Sequence, residues 1–377
     1  MANLAFSHGG DIYEVKRKFK GEVIDFSANI NPLGLPAAVK KVLCENFNKI
    51  LHYPDPWGRN ITERIAKYWQ INKENILLGN GSSELIYLII SAFRPKTALI
   101  PVPSFSEYER ALGSINSKIQ FLKLKEKEGF SFNIGPAEKT DIFFIGNPNN
   151  PTGNLILPSL RAKQSNPILR LLRPGGARND SSKLVVDEAF MDFLPNQKDY
   201  TLIWRAVKNR KIIVLRSFTK FFALPGLRIG YIVAHKEVVN KLRQCQPPWS
   251  VNSLAQLAAE LILDDKDYIK KTYKLINKER EFLFEQLTGI EGLKPYPPAA
   301  NFLLVKIEKA GVTSKFLKEA LIKKGILIRD CGNFRNLNNK YIRVAVRSRE
   351  ENLKLLKGFK GILQKKEGFY AQSEDKS

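Results

Sequence analysis

The stretch RSFTKFFALPGLRIG, residues 216–230, sets Lys220 inside an apolar and aromatic run, with Arg228 eight positions later. A buried ammonium is costly to hold and tends to give up its proton. Lys220 therefore either reaches solvent or offers its amine in a dry pocket. Taken alone, it reads as a surface lysine at a loop-to-helix junction. Its companions shift the balance. Ser217 and Thr219 supply hydroxyls, and Arg228 supplies a permanent fork of donors. Ser82 and the backbone N–H groups of Gly81–Ser83, at an expected helix start in GNGSSE, could complete a cup for a phosphate. GNGSSE is a weak signal by itself, since serines also cap helices. No G-x-x-x-x-G-K-[ST] occurs, which disfavours a nucleoside triphosphate. Asp187 in VVDEAF adds a carboxylate and Asn150 in NPNNPTG an amide. Singly, these read as an ion-pair or capping residue and a turn residue.

The elements that must position these groups follow from the hydrophobic pattern. Ile76–Leu78 precedes GNGSSE, Ala98–Ile100 precedes PVPSF, and Ile142–Ile145 precedes GNPNNPTG. Leu184–Val186 precedes DEAF and Ile212–Leu215 precedes RSFTK, with helix-like segments such as Leu85–Phe93 and Ser106–Leu112 between such runs. Alternating strands and helices predict an α/β chain with a mostly parallel sheet covered on both faces. Ligands of such sheets bind beyond the carboxyl ends of the strands. One crevice there would hold an amine able to form an imine, a carboxylate for a ring nitrogen, an amide for a phenolic oxygen and a phosphate cup. Together these are the requirements of pyridoxal 5'-phosphate.

Further on, one long helical stretch is expected from about Ser253 to Leu287. Strands at Phe302–Ile307, Ile326–Arg329 and Tyr341–Val346, with helices at Ser314–Lys324 and Glu350–Leu363, then predict a smaller α+β lobe. We expect an N-terminal arm at 1–40 joining that lobe, a large domain at 41–287, a small domain at 288–365 and a flexible tail at 366–377. Within the large domain, 155–183 is atypical: Pro158, Pro167, Pro174 and Gly175–Gly176 interrupt an expected crossover helix. A short helix near Ile168–Arg173 and a solvated loop are expected there.

Composition bounds the function classes. Lys+Arg of 61 against Asp+Glu of 37 gives a net charge of +24, which could serve nucleic acid, an anionic membrane or an anionic substrate. No basic run alternates with aromatics as in a single-strand groove, so a lysine-rich solvated surface is the better reading. Cys44, Cys245 and Cys331 are scattered and odd in number, which suits a reducing cytoplasm rather than a disulfide framework. His8, His52 and His235 form no zinc spacing, and no metal is expected. No apolar run reaches membrane-spanning length, and MANLAFSHGG lacks the pattern of a secretory signal.

NPNNPTG, VVDEAF and SFTKFFALPGLRIGY resemble the fold type I pyridoxal-phosphate aminotransferases. HGGDIYE, IDFSANINPLG, HYPDP, NGSSE, PPWSVN, ILIRDC and YIRVAVRS resemble more closely the L-threonine-O-3-phosphate decarboxylases, cobalamin-pathway relatives of the histidinol-phosphate aminotransferases. The likeness spans about residues 6–363 outside the 155–183 stretch. It implies a seven-stranded, mostly parallel sheet in the large domain, and a homodimer with shared active sites. It also implies that Lys220 carries the cofactor, Asp187 pairs with the ring nitrogen and Asn150 with the ring oxygen. Gly81, Ser82, Ser217, Thr219 and Arg228 would surround the phosphate, Phe105 or Tyr108 would stack on the ring, and Tyr53 would reach the neighbouring subunit's cofactor. His8, Gly9, Asn29, Asn150, Arg329 and Arg343 would hold substrate.

Decarboxylation and amino transfer share these cofactor contacts and differ in which Cα bond stands perpendicular to the ring. Arg329 and Arg343, helped by His8, are expected to grip mainly the substrate phosphate, so that the C–COO⁻ bond stands upright. Phe190, in DEAF, stands where the aminotransferases commonly carry a tyrosine. A histidinol-phosphate aminotransferase, a phosphoserine decarboxylase and a non-enzymatic basic binding protein are the competing readings. The aldehyde-binding set Lys220, Asp187 and Asn150 argues against the last.

Overall fold

The computed structural model describes residues 8–132, 140–156 and 182–364. The helix expected at Ile168–Arg173 and the tail at 366–377 lie outside them. A two-residue strand, Ile24–Asp25 (β1), stands apart from the main sheet. That sheet comprises Ile76–Gly79 (β2), Thr97–Val102 (β3), Lys118–Lys123 (β4), Ile142–Gly146 (β5), Lys183–Asp187 (β6), Ile212–Ser217 (β7) and Gly230–Ala234 (β8). Its order is β2-β8-β7-β6-β5-β3-β4. The strands from β7 to β4 pair in parallel, and β8 runs antiparallel to both its neighbours.

Period-two geometry explains the continuous apolar runs. Phe143, Ile145, Leu184, Val186 and Val214 enter the core on one face, while Ile142, Phe144, Val185, Ile213 and Leu215 enter the core on the other. Each such side chain contributes roughly 1.5–3 kcal/mol by leaving water. The strands β4 and β8 are absent from the sequence reading. KIQFLK is an edge strand, mostly half-exposed, and GYIVA begins on a glycine directly after the lysine loop.

Among the described residues, five α-helices precede β4: Ile12–Lys18 (α1), Ala37–Glu45 (α2), Arg59–Trp69 (α3), Gly81–Phe93 (α4) and Ser106–Gly113 (α5). The long helix expected at Ser253–Leu287 is two helices, Ser253–Ile262 and Lys266–Thr288. Asp265 restarts the second by accepting the Tyr268 N–H at 2.9 Å.

The C-terminal strands are Leu293–Pro295 (β9), Phe302–Ile307 (β10), Ile326–Leu327 (β11), Arg329–Asp330 (β12) and Tyr341–Ala345 (β13). An antiparallel sheet runs β12-β13-β10-β9, whereas β11 pairs in parallel with β1. The expected strand Ile326–Arg329 is thus split, changing partners at the buried Ile328. Both partnerships serve the site: one brings the segment after β1 alongside, and the other presents Arg329 next to Arg343.

Under the main sheet's carboxyl edge, Arg216 of β7 is fully buried and pairs with Glu188 at 3.0 Å and Asp192 at 2.5 Å. Stranding either partner of such a pair typically costs about 3–5 kcal/mol. The cluster ties together the ends of β6 and β7, from which Asp187 and Lys220 project.

Candidate active site

A cavity of about 500 Å³ opens where the segments after β2, β3, β5, β6 and β7 meet those after β1 and around β12 and β13. Ser82, Phe105, Tyr108, Asn150, Asp187, Lys220 and Arg228 line it from the main sheet. From the N-terminal arm and the C-terminal sheet come His8, Gly9, Asn29, Arg329 and Arg343. Ser217 and Thr219 are buried, join hydroxyls at 2.7 Å and do not line the cavity. Tyr53 lies outside it, 79% exposed and stacked on Trp249 at 4.6 Å.

Asp187 is buried at the end of β6. Its Oδ2 accepts the Tyr108 hydroxyl at 2.8 Å and its Oδ1 the Ala189 N–H at 3.0 Å. Burial pushes its carboxyl up, while Tyr108, Ala189 and Lys220 pull it back down. Tyr108 is spent on this bond, its ring packed at 5.0 Å on Phe144. Phe105 stands edge-on to it, 5.7 Å away.

The Lys220 amine is pulled down to about 8, first by burial and then by the charges of Arg343 and Arg228, against Asp187 and Asp25. An amine in that range exchanges protons near neutrality, as a proton-transfer group requires. Arg343 donates through Nη1 to Asn150 Oδ1 and through Nη2 to the Ser27 carbonyl at 2.6 Å. Burial lowers its guanidinium to about 10. With Oδ1 turned to Arg343, Asn150 presents its amide nitrogen as a donor. Arg329 donates to the Asp330 carbonyl at 2.6 Å and to Asn333 Oδ1 at 2.8 Å, over the Phe334 ring.

Two glycines are dictated by these contacts. Gly81 opens α4 with φ +80°, and a Cβ there would stand 2.4 Å from Arg228 Nη2. A Cβ on Gly9 would stand 2.1 Å from the Ser27 carbonyl oxygen. Glu107 and Arg110 also line the cavity and are absent from the sequence reading. In SEYERALG they look like the charged turns of an exposed helix, and only the fold brings His8 against Glu107.

The family model for class I and II aminotransferases matches residues 21–359. The chain belongs to this family. It is 36% identical over 371 residues to the threonine-phosphate decarboxylase of Salmonella typhimurium, covering 96% of this chain and 98% of that one. It is 34% identical over 367 residues to the adenosylcobalamin biosynthesis bifunctional protein CobDQ of Leptospira interrogans, covering 94% of this chain and 41% of that longer protein. Among solved structures, the histidinol-phosphate aminotransferase of Clostridium acetobutylicum superposes with a TM-score of 0.80 at 31% identity, covering 89% of this chain and 98% of that one.

The family's cofactor is pyridoxal phosphate, and the cavity's own chemistry fits it. It offers an amine of lowered basicity, a buried carboxylate on a strand end, and a helix start where only the missing Cβ of Gly81 leaves room for Arg228. Asn29 Oδ1 and Arg343 Nε, both buried, take no hydrogen bond among the described residues.

Proposed function

We propose that the chain is a pyridoxal-phosphate-dependent carboxy-lyase that converts L-threonine O-3-phosphate to (R)-1-amino-2-propanol O-2-phosphate and CO₂. The product would supply the aminopropanol linker of cobalamin, in the cytoplasm. One observation carries the reading: a single cavity joins Lys220, Asp187 and Asn150 to His8 and the two arginines Arg329 and Arg343. The 36% identity to a threonine-phosphate decarboxylase supports it.

Lys220 would hold the cofactor, with Asp187 at its ring nitrogen, Asn150 at its ring oxygen and Phe105 against its face. Ser82, Arg228 and the N–H groups opening α4 would take its phosphate. When bound, the cofactor supplies an electron sink for the bond broken at Cα. Asp187 keeps the facing nitrogen protonated. Arg329, Arg343 and His8 grip the substrate phosphate and so orient the carboxylate for loss. Asn29 and Gly9 close the substrate end. Once CO₂ has left, the Lys220 amine delivers a proton to Cα.

The reading also takes the protein to be a homodimer. Phe47, Ile50, Leu51, Tyr53, Trp57 and Trp249 are all exposed, more apolar surface than scattered surface residues account for. A second copy seated there would place Tyr53 at its neighbour's cofactor phosphate.

The deciding experiment offers O-phosphothreonine, O-phosphoserine and histidinol phosphate with 2-oxoglutarate to the holoenzyme, scoring CO₂ and glutamate in parallel. CO₂ from phosphothreonine without glutamate is expected. Glutamate from histidinol phosphate would make the chain an aminotransferase, and faster CO₂ release from phosphoserine would reassign the substrate. Arg329→Lys should raise KM for phosphothreonine about tenfold or more, since a point charge cannot replace a fork at a phosphate. Equal loss on unphosphorylated threonine would refute the role given to Arg329.

A further inference from the structure

The wall beside His8 holds a buried carboxylate and an arginine that the catalytic scheme leaves unused. Glu107 Oε1 lies 2.7 Å from His8 Nε2, its Oε2 accepts the Tyr87 hydroxyl at 3.3 Å, and Arg110 Nη1 stands 3.6 Å from Oε1. The Glu107 side chain is 9% exposed, and the hydrogen bond from His8 holds its carboxyl below the usual range despite burial. An ionised carboxylate only accepts, so His8 must donate through Nε2. The contact spans 99 residues and lays the N-terminal arm across the cavity onto α5. Near His8 the arm has a second tie, the Gly10 N–H to Ser27 Oγ at 2.7 Å.

We propose that Glu107 is the positioning residue for His8 and that Arg110 is a further ligand of the substrate's phosphate. This rests on the decarboxylase reading for the identity of the phosphate's bearer. Arg110 lies three residues after Glu107 on α5, so Glu107 steers its guanidinium as well as the imidazole. The charges are matched to the ligand. Arg110, Arg329 and Arg343 line this end of the cavity, and three guanidinium charges less the one carboxylate of Glu107 leave two, the charge of a phosphate dianion. Glu107 thereby spends one negative charge inside an anion site to fix the geometry of an imidazole and a guanidinium. That expense is sensible only where orientation limits affinity.

The test uses holoenzyme carrying Glu107→Gln, Arg110→Ala, Arg110→Lys, His8→Asn, or His8→Asn with Glu107→Gln. Steady-state kinetics with O-phosphothreonine run beside calorimetric titration with O-phosphothreonine and with inorganic phosphate. Glu107→Gln and Arg110→Ala should each raise KM and Kd for phosphothreonine about tenfold, with kcat within about threefold, as for loss of one charge-assisted contact. Arg110→Lys should recover part of the affinity. In the His8→Asn background, Glu107→Gln should add less than about twofold, because it acts through His8. Independent, multiplying effects of the two substitutions would overturn the positioning role. A fall in kcat at constant KM, or undiminished phosphate affinity in Arg110→Ala, would overturn the ligand role. Unchanged cofactor absorption and melting temperature identify folded variants, and Arg110 is exposed enough for its removal to leave folding intact. Should the wild type fail to decarboxylate phosphothreonine while inorganic phosphate still shows the coupling, the decarboxylase reading falls and this assignment stands. CO₂ release without coupling has the opposite meaning.

Discussion

Gly81→Ala probes the proposed phosphate cup with a predictable division of effects. At φ +80° an alanine pays left-handed backbone strain of roughly 1–2 kcal/mol, whether or not the cofactor is bound. That term should appear as a fall of a few degrees in melting temperature. Its new Cβ would also sit 2.4 Å from Arg228 Nη2 and 3.0 Å from Cζ. The guanidinium is the far end of a flexible side chain, so it moves aside and leaves the site that would take the phosphate. A hydrogen bond to a charged group contributes about 1.5–3 kcal/mol, so cofactor affinity should fall about 10- to 150-fold. Equilibrium dialysis of the apoenzyme against pyridoxal phosphate measures this directly. In an Arg228→Ala background the same Gly81→Ala change should weaken affinity less than about threefold, because the group it displaces is gone. Undiminished affinity in Gly81→Ala, or an equal loss in both backgrounds, would remove Arg228 from the cup.

Glu126 ties the loop after β4 to the C-terminal sheet, accepting from Lys306 at 2.8 Å, Tyr296 at 2.6 Å and Tyr341 at 2.7 Å. Burial raises its carboxyl, but Lys306 and the two hydroxyls outweigh this and hold it at about 2. A depressed carboxylate stabilises above its unfolded value of about 4.3 and loses that contribution as pH falls toward the folded one. Glu126→Gln should therefore be less stable at pH 7 by on the order of 1 kcal/mol, discounted for a side chain one-third exposed. Denaturant titrations should show the gap closing between about pH 4.5 and 2; a gap constant with pH would contradict the assignment. If the chain pairs as proposed, mixing Tyr53→Ala and Lys220→Ala proteins should restore activity, since each mixed pair would rebuild one intact site. A monomeric wild type on sedimentation, or no recovery on mixing, would refute the shared site.

The gathering of the main sheet's candidate groups in one cavity was legible because they follow strands that announce themselves. Asp187 and Lys220 each stand just after a continuous aliphatic run, and parallel pairing brings such ends together. Strands lacking that signature escaped: β4 is polar and half-exposed, and β8 is too close to the lysine loop to be separated from it. The break at Asp265 was hidden because the helical period continues on both sides. Glu107 was invisible for a different reason. Its meaning comes from a histidine 99 residues away, and no local pattern encodes that meeting.

The parallel pair β1–β11 joins residues some three hundred positions apart, Ile24 to Ile326 and Asp25 to Leu327. Just beyond it, Ala345 N–H and Arg343 reach back to the carbonyls of Phe26 and Ser27. The segment bearing His8 and Asn29 is synthesised about three hundred residues before the strands it docks on. A chain cut before Ile326 would retain the strands that present Asp187 and Lys220 but lack the clamp that closes the opposite end. Synthesis order thus separates a part that could seat the vitamin from the part proposed to admit an amino acid.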